Sequence, residues 1–283
     1  MIFSFFRKNN THNAQNTNCN PVSYSAVASS DVGSVRENNE DKVLFIKPYD
    51  KDVLQQKGML GIVADGMGGH NCGEIASQIA VDVISKQYYQ SKLEILEALE
   101  MSFISANQKI FKKAAKNENQ KGMGTTCTAV VLHQRDLYLA HAGDSRAYLV
   151  NKNSVKKLST DHTYVQFLLD NGVINESQMS NHPERNVITK SMGTQKTLIP
   201  DILKFENILH EDDLIFLCSD GLYEYIKEPE IQEYVLNNSI FDAAEQMIQV
   251  AKTRGGHDNI SVLIIKQSAP ENENLLSVTQ EMK

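Results

Sequence analysis

The chain has 283 residues, 41% of them hydrophobic, and a net charge of −7. That is enough apolar material for one large core, and no apolar stretch approaches the ~20 residues needed to span a bilayer, so no integral membrane association is expected. Basic residues are scattered rather than clustered, which argues against a nucleic-acid surface, and four cysteines without CxxC spacing fit a reduced cytoplasmic compartment better than a disulfide framework.

Residues 1–21 are polar and rich in asparagine and read as a flexible lead-in; residues 268–283 read as a polar tail. Between them, 22–267 reads as one domain. Val22–Ser29 and Val43–Ile46 are predicted as short strands, and Lys57–Ala64 as a buried strand ending at Asp65. Glu74–Tyr89 places Ile75, Ile79 and Val83 at i, i+4 spacing, which predicts an amphipathic helix, and Leu93–Ala115 predicts a second. Two hairpins follow: Thr125–Leu132 with Leu137–Ala142, then Ala147–Val150 with Val155–Leu158 across the turn Asn151-Lys-Asn-Ser154. Residues 159–200 are polar and weakly periodic, with one helix near Tyr164–Asn171, and a long insert of this kind is often a lid. Asp213–Cys218 and Ile260–Lys266 are predicted strands, with helices at Glu230–Leu236 and Phe241–Lys252 between them. Short turns between successive strands imply antiparallel pairing, and helices in two clusters imply outer layers. The fold class is α+β: a four-layer α/β/β/α sandwich of two antiparallel β-sheets flanked by helices.

Acidic segments at strand ends carry the chemistry: Arg36-Glu-Asn-Asn-Glu-Asp41, Ala64-Asp-Gly-Met-Gly-Gly-His70, Cys218-Ser-Asp-Gly221 and Gly255-Gly-His-Asp-Asn259. A carboxylate at the end of a core strand is costly to desolvate unless a cation or hydrogen bonds compensate it. With no matching excess of Lys or Arg, hard divalent metals are the natural partners. Asp65 is the candidate bridging ligand, and Gly66 lets its own carbonyl approach a cation closely. Asp220 and Asp258 occupy similar strand-edge positions, and Glu40 and Asp41 could act as outer ligands through water. Two ions ~3.5–4 Å apart would activate a shared water as nucleophile. Arg36, whose planar guanidinium holds two phosphate oxygens at once, suits phosphoryl-ester hydrolysis beside such a pair. Each feature has a plainer meaning: an Asp-Gly is usually a turn, Arg36 could pair with Glu37 or Glu40 on the surface, and His70 is either a loop histidine or a general acid. Their conjunction is what the plainer meanings explain poorly.

The order of motifs resembles the metal-dependent Ser/Thr protein phosphatases of the PP2C (PPM) family in their bacterial form. The matching stretches include Ser30–Asp41, Val63–His70, Gly122-Met-Gly-Thr-Thr126, Ala142-Gly-Asp-Ser-Arg146, Ser159-Thr-Asp-His162, His182–Asn186, Cys218–Leu222 and Gly256–Ile260. The resemblance implies that Asp65 bridges two metals, that the Gly66 carbonyl completes the second, and that Asp220 and Asp258 are the remaining ligands of the first. It implies that Asp41, with Glu40 beside it, holds metal-bound waters, that Arg36 binds phosphate, and that Asp144 with Asp220 forms a weaker third metal site. Residues 159–200 match the family's flap. Where animal members have a His directly after the Asp-Gly, this chain has Met67, with His70 three residues later.

The implied function is hydrolysis of phosphoserine and phosphothreonine in proteins by a metal-bridging hydroxide, with two Mn²⁺ or Mg²⁺ ions and a weaker third. The implied partners are phosphorylated proteins and an opposing Ser/Thr kinase, and the expected state is a cytoplasmic monomer. The alternative from another class is a non-catalytic phosphoprotein-binding module on the same fold, which loss of Asp65, Asp220 or Asp258 would have signalled.

Overall fold

Residue alternation along the strands sets the layers. The strand Met59–Met67 turns Leu60, Ile62 and Ala64 toward one apolar cluster and Met59 and Val63 toward another, all of them buried. A strand covered on both faces must read as a continuous apolar run, and this is why the sequence shows no polar alternation there.

A computed structural model describes residues 23–68 and 72–268. The lead-in over 1–21, the tail beyond Ser268 and His70 lie outside them. In chain order the strands are β1 (Ser23–Asp31), β2 (Asp41–Ile46), β3 (Met59–Met67), β4 (Gly124–Thr125), β5 (Cys127–His133), β6 (Asp136–Ala142), β7 (Arg146–Asn151), β8 (Ser154–Lys157), β9 (Asp201–Phe205), β10 (Leu214–Cys218) and β11 (Ile260–Ser268). The helices are α1 (Lys51–Lys57), α2 (Cys72–Gln90), α3 (Ile95–Ala114), α4 (Tyr164–Asp170), α5 (Glu176–Met179), α6 (Asp220–Tyr223), α7 (Glu228–Asn237) and α8 (Ile240–Thr253).

One sheet runs β1-β11-β10-β7-β8 and the other β2-β3-β5-β6-β9, with β4 beside β3; every pairing is antiparallel. Val63, Val130 and Leu139 of one sheet meet Leu149, Leu217 and Leu263 of the other in a common cluster. Helices α2 and α3 cover the outer face of the second sheet through Ile84, Leu99 and Phe103. Helices α6, α7 and α8 cover the first through Leu222, Ile231 and Met247. The four-layer α/β/β/α sandwich is the architecture found.

Three elements depart from expectation. Lys57 closes α1 rather than opening a strand; Asp50 caps that helix by accepting from Asp52 and Val53 N–H, and the helix is too short for periodicity to show. Asp201–Phe205 is an edge strand on β6, and its partly exposed residues lack an apolar run. The stretch 159–200 holds a second helix, α5, and is pinned at several points. Tyr164 N–H donates to the Val187 carbonyl at 2.8 Å, Thr163 bridges Ile188, and Thr125 and Met192 exchange backbone hydrogen bonds of 3.0 and 2.9 Å.

Phe216 is fully buried between β10 and the α6–α8 layer, its ring 6.3 Å from that of Tyr148. Phe216→Ala is expected to cost about 4 kcal/mol by loss of transfer energy and cavity formation, measured as a shift in the urea midpoint with unchanged slope.

Candidate metal centre

The pleat that packs Met59 and Val63 between the sheets places Asp65 next in the same inward series. Antiparallel register sets Asp41 of β2 directly opposite Asp65. Asp220 opens α6 just past the end of β10, Asp258 lies just before β11, and Asp144 sits in the turn between β6 and β7. Five carboxylates from distant parts of the chain thus meet at one end of the sandwich.

They lie close enough to perturb one another. Burial raises the Asp65 carboxyl well above the ordinary range, and Asp41, Asp220, Asp144 and Asp258 raise it further. Asp220 is raised in the same way, by burial and then by Asp144, Asp258 and Asp41. Burial pushes Asp41 up to about 6, although Ser219 donates a hydrogen bond to it. Asp144 is pushed up to about 6 by burial and by Asp161.

Whether a cation fits can be tested atom by atom. Asp41 Oδ2 accepts from Ser219 Oγ at 2.8 Å, but Asp41 Oδ1 and Asp220 Oδ1 are buried without a hydrogen-bond partner. Two orphaned carboxylate oxygens in a site of like charge are what a hard divalent ion would satisfy. Among the described residues no three His, Cys, Asp or Glu side chains already form a group able to hold an ion. The donor set fits, and its members would have to close further around the ion.

The other expected residues divide. Arg36 faces the cluster: its Nη2 donates to Asp258 Oδ2 at 2.7 Å, with about half of the Arg36 side chain exposed. It does not pair on the surface with Glu37. Gly66 is packed so tightly that a Cβ would overlap the Gly73 carbonyl and lie 2.5 Å from the Glu40 carbonyl oxygen, so no larger residue fits between β3 and the start of α2. Glu40 turns its carboxylate to the N-terminus of α2, with Oε2 2.6 Å from where a Cβ on Gly73 would stand, and burial raises its carboxyl.

The sequence reading overlooked the braces. Asn259, 4% exposed, accepts from Glu40 N–H at 2.8 Å and donates to the carbonyls of Val32 and Asn38 at 2.9 Å each. It therefore fixes the loop that carries Arg36. Ser219 ties β10 to both Asp41 and Ser261 N–H, and Asp65 N–H donates to Thr126 Oγ1 at 3.2 Å. The signal for Asn259 was its place directly after Asp258; nothing local marked the serine or the threonine.

A model of the protein phosphatase 2C family matches residues 25–166. The serine/threonine phosphatase stp of Listeria innocua is 32% identical over 246 residues, covering 84% of this chain and 94% of that protein. The chain belongs to the protein phosphatase 2C family, the metal-dependent protein serine/threonine phosphatases. The Mycobacterium tuberculosis serine/threonine phosphatase PstP/Ppp superposes with a TM-score of 0.77 at 31% identity, over 88% of this chain and 100% of that one. The catalytic domain of PstP in complex with two manganese ions gives 0.74 at 29%, with the same coverage.

Asp41, Asp65, Asp144 and Asp220 all bind protons more tightly folded than unfolded, so the unfolded chain releases protons that the fold retains. In metal-free protein, stability is therefore expected to fall as pH rises from the unfolded value of 3.8 through about 6 and beyond. The melting temperature in chelator should drop by several degrees between pH 5 and pH 7.5, and added Mn²⁺ should raise it more at pH 7.5. Asn259→Ala removes three buried hydrogen bonds and is expected to cost about 3 kcal/mol and to lower kcat/KM, read by denaturation and phosphopeptide kinetics.

Proposed function

We propose that the protein hydrolyses phosphoserine and phosphothreonine in proteins at this carboxylate end, with Asp65, Asp220 and Asp258 as principal metal ligands. Asp41 acts beside them, the Gly66 carbonyl completes the second ion, and Asp144 with Asp220 supplies a weaker third site. The observation that carries the proposal is the pair of orphaned oxygens on Asp41 and Asp220, set in a cluster whose acids raise one another's pKa beside an arginine. Bound divalent ions, Mn²⁺ or Mg²⁺, would supply Lewis-acid neutralisation of the phosphoryl charge and activate water near neutral pH.

The chain's own contribution is positioning. Asn259 holds the 32–40 loop, so Arg36 is presented at the rim of the cluster rather than free in solvent. An incoming phosphate monoester displaces the Asp258 carboxylate from Arg36 and takes up paired N–H···O bonds. Glu40, seated on the α2 N-terminus, contributes negative potential beside Arg36 without leaving its helix. The deeply buried thiols are no substitute nucleophile: burial pushes both Cys127 and Cys218 far above the ordinary thiol range. The proposed setting is a cytoplasmic monomer opposing a Ser/Thr kinase. Among the described residues no helix is long and apolar enough to cross a membrane.

Hydrolysis of a phosphothreonine peptide with Mn²⁺, with and without chelator, tests the proposal; turnover that survives complete chelation, or none with metal, overturns it. Asp65→Asn and Asp220→Asn are each expected to lower Mn²⁺-dependent turnover at least about a hundredfold, because even residues that merely support a ligand are worth 10–100-fold. The same substitutions remove a charge from the crowded cluster, so metal-free Asp65→Asn should melt above the wild type at pH 7.5. Arg36→Ala should raise KM for phosphopeptide about tenfold or more with a smaller change in kcat, since an arginine gripping the ground-state phosphate supplies uniform binding.

A further inference from the structure

Asp144 is the middle residue of the turn between β6 and β7, and both of its neighbours are anchored. Ser145 is held from β5: its hydroxyl shares a hydrogen bond of 2.7 Å with Thr126 Oγ1, and its carbonyl accepts from Thr128 Oγ1 at 2.8 Å. Thr126 also bonds Asp65 twice, its N–H donating to the Asp65 carbonyl at 2.8 Å and its Oγ1 accepting from Asp65 N–H at 3.2 Å. One threonine thus fixes the turn relative to Asp65.

Gly143, on the other side, is held by His162. The His162 N–H donates to the Gly143 carbonyl at 2.7 Å, and Gly143 N–H donates to Nδ1 of the same residue at 3.0 Å. A ring nitrogen that accepts carries no proton, so the imidazole proton sits on Nε2, which donates to Asp201 Oδ2 at 3.1 Å. Asp201 Oδ1 accepts from Lys190 Nζ at 2.6 Å, and Thr189 N–H donates to the His162 carbonyl at 2.8 Å. The His162 ring stacks on that of His141, with centroids 4.8 Å apart. His162 therefore stands where the chain departs for α4 and α5 and where it returns, and from there it reaches the turn that bears Asp144.

We propose that His162 is a positioning residue for Asp144: gripping Gly143 through both its backbone N–H and Nδ1, with Asp201 holding the ring, it fixes where the turn presents the Asp144 carboxylate to a divalent cation. This rests on the reading of Asp144 as a ligand of the weaker third ion. His162 acts through the turn and does not touch the ion.

Two substitutions separate its side-chain bonds. His162→Asn can offer an amide oxygen where Nδ1 stood but does not reach Asp201, whereas His162→Gln places its amide where Nε2 stood and leaves Gly143 N–H without its acceptor. Calorimetric titration with Mn²⁺ of wild type, Asp144→Asn and both histidine variants tests the proposal, alongside melting curves and Gly143 amide hydrogen exchange in chelator. Asp144→Asn should abolish the weak binding step and leave the tighter ones. His162→Gln should weaken that step about tenfold, in the range for residues that orient a ligand, and speed Gly143 exchange, while His162→Asn keeps both near wild type. Both variants lose the ring against His141 and should melt lower by similar amounts, so stability alone does not part them. A His162→Gln protein whose weak step matches wild type, when Asp144→Asn has lost it, overturns the proposal for His162. Equal weakening in the two histidine variants overturns it too, since the histidine would then serve the fold only. Asp201→Ala, at a partly exposed site, covers a failure of either variant to fold: it releases Nε2 and should weaken the same step, and an unchanged step there, with Asp144→Asn lacking it, overturns the proposal as well. An Asp144→Asn protein with the full wild-type titration overturns the assignment of Asp144 and the proposal with it.

Discussion

Asp41, Asp65, Asp144 and Asp220 stand where water is scarce and where each makes the others harder to ionise. Much of the surrounding structure is arranged around that repulsion. The two sheets supply a rigid, dry wall from which the acids project, so they cannot swing apart to relieve one another. Ser219 hydrogen-bonds Asp41, yet the cluster retains two unpartnered oxygens. Hydroxyls reduce the cost of burial without cancelling the charge, and a site neutralised by its own lysines would have no use for a cation.

Where arginines are present, they are matched elsewhere. Arg146 is neutralised by Asp161 and flattened on Tyr223, and its charge leaves the Asp144 carboxyl raised rather than lowered. Arg36 stands half exposed at the rim against Asp258. One arginine is thus built into the scaffold and the other remains accessible to an incoming anion. The difference is burial, since both are paired with aspartate.

Much of this was legible in the sequence. Long apolar runs such as Leu214–Cys218 and Ile260–Ile265 mark strands covered on both faces, and Asp65, Asp220 and Asp258, which end or lead into such runs, appear in the cluster. Short or half-exposed elements were not legible: α1 has less than two turns of core contact, and β9 is an edge. Glu40 was read with Asp41 because they are adjacent. In a strand-entry turn neighbours face opposite ways, and the Glu40 carboxylate lies against the α2 terminus. Asp161 and Asn259 were invisible as supports because each acts on a residue far away in sequence.

The excursion that carries α4 and α5 leaves and rejoins the protein at one place, where Thr163 bridges Ile188 and Tyr164 meets Val187. A loop whose ends are already joined adds little to the chain entropy of folding when it is lengthened: each doubling costs only ~0.6 kcal/mol. The segment between these joints can be lengthened at little cost to the fold.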